Sequence, residues 1–169
     1  MIFTKEYVSE FVYGSTDGII TSLAVVSASL GANLSPAIMI IIGLANILAD
    51  GFSMGISRYL SANAEIEVTG KTNNKPITSG FATTIAFILL GSSVILPIIC
   101  FYLFNFPSGK LLYTSVFIIT ALALFSIGSL KSRFTKKSPL QSGFNTLLIG
   151  GIGSIIAYSV GFLLKNLTK

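Results

Sequence analysis

The chain has 169 residues, 52% hydrophobic and 10% charged, with a net charge of +5. A soluble domain carries roughly 25% charged residues, and one this short cannot hide so much apolar surface, so a soluble fold is excluded and lipid must act as the solvent. A single cysteine, Cys100, and no histidine exclude an internal disulfide, a cysteine metal cluster, His-ligated zinc or iron and Ser-His-Asp chemistry within one chain.

The first residues, MIFTKEYVSEF, carry Glu6 and Glu10 beside Lys5 and do not read as a cleaved signal peptide. Charge-free stretches then run over 18–49, 76–109, 111–130 and 138–164. A membrane-spanning helix needs about 20 apolar residues, so the first stretch is too long for one span. It breaks at Gly31-Ala32-Asn33-Leu34-Ser35-Pro36, where Ser35 suits an N-cap and Pro36 the first helical position. The expectation is an all-α, polytopic membrane protein, a single domain over 1–169. Its five helices fall at approximately 11–31, 36–60, 79–104, 112–130 and 142–164. No period-two alternation favours a β-barrel.

Basic residues in the loops set the orientation. With the N-terminus cytoplasmic, the inner side holds Lys5, Arg58, Lys71, Lys75, Lys131, Arg133, Lys136 and Lys137, against Lys110, Lys165 and Lys169 outside. The run KSRFTKK over 131–137 reads as a topology anchor rather than a nucleic-acid site.

Two acids stand where they are expensive. A carboxylate at the bilayer centre costs about 2.5–3.5 kcal/mol even on lenient scales, yet Asp17 and Asp50 lie inside the first two helices. On helix 2, Asn46, Asp50, Met54 and Arg58 recur every four residues and so form one slanted stripe. An amide oxygen, a carboxylate and a thioether suit Fe(II) or Mn(II) better than Ca or Mg. On helix 1, Tyr13, Asp17 and Thr21 form a matching stripe, with Glu10 two turns below Asp17. The plainer alternatives are Met54 as packing, an Asp50–Arg58 ion pair along one helix, and polar contacts as interhelical glue. Gly14-x-x-x-Gly18 and Gly51-x-x-x-Gly55 flank the aspartates, and Gly153-x-x-x-Ala157-x-x-x-Gly161 lines helix 5. Such spacing lets helices approach closely, and the expectation is that helices 1 and 2 hold the acidic face in a crowded interface. No enzyme motif occurs.

These segments resemble the vacuolar iron transporter family of divalent-metal transporters. The likeness lies in YGSTDGIITSLAVVSAS, GLANILADGFSMGISRYLS, GSSVILP and GSLKSRFTKKSPLQSGFNTLLIGGIGSIIAYSVG, in order over nearly the whole chain. It implies a five-helix subunit that forms a homodimer, with the ion path between subunits and lined by helix 1. It implies Fe2+ or Mn2+ as transported substrate, leaving the cytosol in exchange for protons, with no permanently bound cofactor. Asp17 matches the family's helix-1 aspartate and Met54 its helix-2 methionine. The chain departs from the eukaryotic type in three ways. Asn46 stands where a glutamate is usual and Asp50 where a small residue is usual, as if the carboxylate had moved one turn. The connection over about 61–78 holds only Glu65 and Glu67 as acids, in place of a glutamate-rich metal-binding domain. Arg58 stands where many members have glutamate, adding a positive charge near the path's mouth.

The expected metal-site residues are therefore Asp17, Asn46, Asp50 and Met54, and the expected partners are a divalent metal ion, protons, lipid and a second copy of the chain. The alternatives are a non-transporting membrane module of the same fold and a transporter of another cation. Compact length and short loops point to a prokaryotic cytoplasmic membrane.

Overall fold

A computed structural model describes residues 7–70, 75–106, 109–132 and 138–168. Five helices follow one another: α1 (Val8–Gly31), α2 (Pro36–Thr69), α3 (Pro76–Leu103), α4 (Lys110–Ser132) and α5 (Pro139–Leu164), with a short 3-10 turn over Lys165–Thr168. All five are long and apolar enough to cross a membrane, and no strand occurs among the described residues. The protein is an integral membrane protein. Lys5, Lys71, Arg133, Lys136, Lys137 and Lys169 of the orientation argument lie outside the described residues.

The break between the first two helices forms as their residues demand. The Ser35 side chain accepts from the Ile38 amide at 3.5 Å, and Pro36 opens α2. Before it, Asn33 takes a φ of 56°, the left-handed conformation that asparagine tolerates better than most residues. Ser138 and Pro139 repeat the device at the start of α5, with the Gln141 amide 3.2 Å from the Ser138 hydroxyl.

Helix α2 departs most from expectation. The apolar run stops near residue 60, but the helix continues through Ser-Ala-Asn-Ala-Glu-Ile-Glu-Val-Thr to Thr69. That stretch is polar without being helix-breaking, since Ala and Glu are good helix formers. The stop comes at Gly70, whose φ of 67° caps the helix in the left-handed conformation. At 1.5 Å per residue, the 34 residues of α2 span about 51 Å, against a hydrocarbon core of about 30 Å. The last turns therefore stand clear of the membrane, carrying exposed Glu65 and Glu67.

Helix α3 is the centre of the bundle. Phe87, Val94, Ile95 and Ile98 on it are buried, and both α1 and α2 pack chiefly against it, while α5 lies across α1 and α4. The glycine motifs serve this arrangement. A Cβ on Gly14 would stand 2.5 Å from the Thr83 carbonyl oxygen, and one on Gly18 would stand 2.5 Å from that of Phe87. A Cβ on Gly80 would meet the Gly55 carbonyl at 2.6 Å. Both glycine pairs beside the aspartates thus close onto α3, not onto each other, correcting the expectation of a crowded α1–α2 interface. The reason is steric: the bare glycine faces lie toward α3, which leaves the polar stripes beside them turned aside from the tight seams. In α5, Gly161 meets the backbone of Ala28, and Ser154 shares a 2.7 Å hydrogen bond with Ser27 of α1.

Candidate metal site

The polar stripes of α1 and α2 carry ionisable side chains at two levels along the helices. At the level nearer the middle of the helices stand Asp17, half-buried, and Asp50, exposed on the single chain. The helix that carries Asp17 also orders its surroundings: the Thr21 hydroxyl donates to the Asp17 carbonyl at 2.8 Å. Thr21 is thereby occupied with its own backbone and leaves the Asp17 carboxylate to other partners. Tyr13, expected on the same stripe, points outward and is 58% exposed.

Asn46 and Met54 share the Asp50 stripe, one turn to either side, and both are half-buried. The Asn46 amide nitrogen is buried with no hydrogen-bond partner in the structure. An unpaired buried amide group is costly, and the two ends of an amide are interchanged by a simple rotation. Asn46 therefore has a free polar end to offer to a ligand or to a facing chain. Among the described residues no three acids, histidines or cysteines cluster as a metal cage. Helix α1 supplies one carboxylate, Asp17, and the α2 stripe a second carboxylate, an amide and a thioether, and a closed coordination shell would need more.

The lower level is of the opposite character. Arg58 pairs with Glu10 of α1, not with Asp50 of its own helix: Nη2 lies 2.6 Å and Nε 3.2 Å from Glu10 Oε1. The Ser79 hydroxyl of α3 donates to the same oxygen at 3.2 Å. This overturns the Asp50–Arg58 pair as the plainer account of Asp50. Arg58 is therefore not a bare positive charge, because the Glu10 carboxylate pairs with it. Glu10 and Arg58 were both visible on the helical stripes, while Ser79 carried no sequence signal beyond its place at the start of α3.

The comparisons with known proteins agree with this architecture. The profile of the VIT family matches residues 8–75 and 64–162. The chain belongs to the VIT family. A protein named vacuolar iron transporter from Plasmodium berghei is 26% identical over 231 residues, covering 96% of this chain and 84% of its own length. Vacuolar iron transporter 1 from Arabidopsis thaliana is 23% identical, covering 95% of this chain and 87% of its own length. A Toxoplasma gondii vacuolar iron transporter is 45% identical over 62 residues, or 37% of this chain. The longer alignments exceed the 169 residues of this member of the VIT family, so these relatives carry additional residues within the matched span. The family match itself divides over 64–75, at the end of α2 and the connection to α3. These relatives are eukaryotic and named for a vacuole, which gives no support to a prokaryotic cytoplasmic membrane.

Proposed function

We propose that this VIT-family protein exports a divalent transition metal, Fe(II) or Mn(II), from the cytosol in exchange for protons. The reading is carried by the placement of Asp17 and Asp50 inside two different membrane helices of a VIT-family chain. Two carboxylates so placed repel, and both a divalent cation between them and a proton on one of them relieve that repulsion. The same pair can therefore hold either cargo in turn, which is the chemical requirement of an exchanger. Met54 adds a soft donor to the oxygen set and shifts preference toward transition metals, and Asn46 adds a neutral polar group. Relatives named as iron transporters support the same reading.

Asp50 is exposed on one chain, and an ionised side chain does not face hydrocarbon without a partner or a wet cavity. A second copy of the chain covering this face, with the ion path between the two, meets that requirement and completes the coordination shell. With the N-terminus cytoplasmic, the Glu10–Arg58 level and the protruding end of α2 lie on the cytosolic side.

The test is metal flux into proteoliposomes of the purified protein, with and without a pH gradient. Flux of Fe(II) or Mn(II) that rises with an opposing proton gradient is expected. Metal flux unchanged by Asp17→Asn and Asp50→Asn would overturn the site, and flux indifferent to the proton gradient would overturn the exchange.

A further inference from the structure

On the side of α2 turned away from its aspartate, α2 and α3 frame a groove of about 680 Å³, within the range of about 300–1,000 Å³ usual for small-ligand sites. Tyr59, which lines it, stands nine residues from Asp50, about two and a half turns along, and so on the opposite face of the helix. The residue pattern makes the groove. Gly55 and Gly80 form its floor, where the bare backbones come together: a Cβ on Gly80 would stand 2.6 Å from the Gly55 carbonyl. Phe52 and Ile56 of α2 and Ile77 and Phe81 of α3 stand on either side as walls, and all four are exposed. In a protein that crosses the membrane on these helices, the opening faces hydrocarbon.

Depth and charge restrict what fills it. The α3 wall runs from Ile77 to Thr84, about 10 Å of helix, which fits within one leaflet, about half of the ~30 Å hydrocarbon core. Its outer end lies where α3 begins, on the side of the α2 extension. There the groove ends on Tyr59, an aromatic residue of the kind that sits at headgroup level. Lys75, which caps α3 two positions before Ile77, is exposed, and among the described residues no acid pairs with it. Its long stem lets the ammonium group reach the phosphate level of the bilayer. A purely apolar occupant leaves that charge unanswered, whereas an acyl chain beneath an anionic headgroup answers both features.

We propose that this groove binds one anionic glycerophospholipid, its acyl chain between the two walls and its phosphate at Lys75. The lipid belongs to the leaflet on the side of the α2 extension. The proposal rests on the membrane fold and is independent of the transport reading. The two parts of the site divide the task. The walls accept any acyl chain, and Lys75 selects the headgroup, favouring an anionic lipid by about fivefold.

The chain contains no tryptophan, so a single introduced indole reports on its own surroundings. Phe81→Trp places it in the groove, and Leu122→Trp places it on an exposed part of α4 outside the groove. Each variant is reconstituted in bilayers containing dibrominated phosphatidylglycerol or dibrominated phosphatidylcholine, whose bromines quench indole fluorescence on contact. The indole at 81 should show about a fivefold preference for phosphatidylglycerol, and the one at 122 should show none. Adding Lys75→Gln to Phe81→Trp should abolish the preference. Equal quenching by the two lipids at 81 would overturn the proposal, as would the same preference at both positions, which is bulk attraction to a chain of net charge +5. A preference that survives Lys75→Gln would also overturn it. Failure of either lipid to quench at 81 would mean that protein, such as a second copy, covers the groove, and that too overturns it.

A second measurement needs no indole. Unmodified protein is extracted from mixed phosphatidylglycerol and phosphatidylcholine bilayers and its intact mass is measured in detergent. One phosphatidylglycerol should remain per chain, and the Lys75→Gln protein should lose it. Equal retention of the two lipids by the unmodified protein would overturn the site.

Discussion

The two levels of ionisable residues on α1 and α2 use the same helices to opposite ends. At the Asp17–Asp50 level, one carboxylate stands on each helix, and among the described residues neither carboxylate side chain has a hydrogen-bond partner. At the Glu10–Arg58 level, two turns away, unlike charges are joined by short hydrogen bonds and one of them is sealed from solvent. The first level is unstable without an added cation or proton, and the second is complete without one. A membrane protein spends stability on an unpaired carboxylate only where a ligand is to be bound. The contrast is what supports proposing binding at the upper level, while the lower level joins α1, α2 and α3.

The largest effect expected is on transport. Asp17→Asn should lower the initial rate of metal flux by about tenfold to a hundredfold, the range that follows from losing a charged partner worth about 1.5–3 kcal/mol. Asp50→Asn should act similarly. Neither should lower thermal stability, and both should raise it slightly, because each removes the mutual repulsion. Loss of stability without loss of flux in either variant would reverse the assignment of the two levels.

The lower level should respond in the opposite way. Arg58→Met removes the guanidinium bonded to the buried Glu10 carboxylate, and breaking a buried pair on one side costs about 3–5 kcal/mol. Glu10→Gln/Arg58→Met removes both charges and should recover much of that loss. Thermal unfolding in detergent over the full mutant cycle measures the coupling. A double variant no more stable than Arg58→Met would show that the pair is not the source of the cost.

Much of this was legible in the sequence, for identifiable reasons. The five helices follow from charge-free runs whose lengths a bilayer dictates, and the α1–α2 break follows from Ser35 and Pro36. The end of α2 was not legible from hydropathy, because residues 61–69 remain good helix formers after leaving the apolar region; the true signal is Gly70. The polar stripes were visible from four-residue spacing, yet their pairing was not. Arg58 is equally placed by sequence to reach along its own helix to Asp50 or across to Glu10, and only the packing of α1 and α2 on α3 decides between them. The glycine motifs announced close approach, but a small face names no partner, and the partner is α3.

That last point gives a prediction of intermediate size. Gly18→Ala and Gly80→Ala each place a methyl group against a backbone carbonyl of the neighbouring helix, at 2.5 Å from Phe87 and 2.6 Å from Gly55. Backbone oxygens cannot rotate away as side chains can, so each change should cost about 1–3 kcal/mol of stability. The same substitution at Gly151, where an added Cβ meets nothing within 4 Å, should be neutral. Equal losses at all three positions would show that helix propensity, not packing on α3, governs these sites.

The smallest effect is expected beyond the membrane, at the end of α2. Glu65 and Glu67 are exposed, and they are the acids nearest the region where the family match divides. Were they a remnant collector of metal, removing them would weaken flux at low metal concentration while leaving the maximal rate intact. Their positions argue otherwise. Residues two apart on a helix point to different sides, so the two carboxylates do not converge on one ion, and exposed charges interact weakly through water. Glu65→Gln/Glu67→Gln should therefore change stability by less than about 0.5 kcal/mol and leave the concentration dependence of Mn(II) flux unchanged. A raised half-saturating concentration in this variant would place a metal-gathering step on the α2 extension. Selection of the ion would then begin beyond the membrane, and Asp17 and Asp50 would no longer account for it alone.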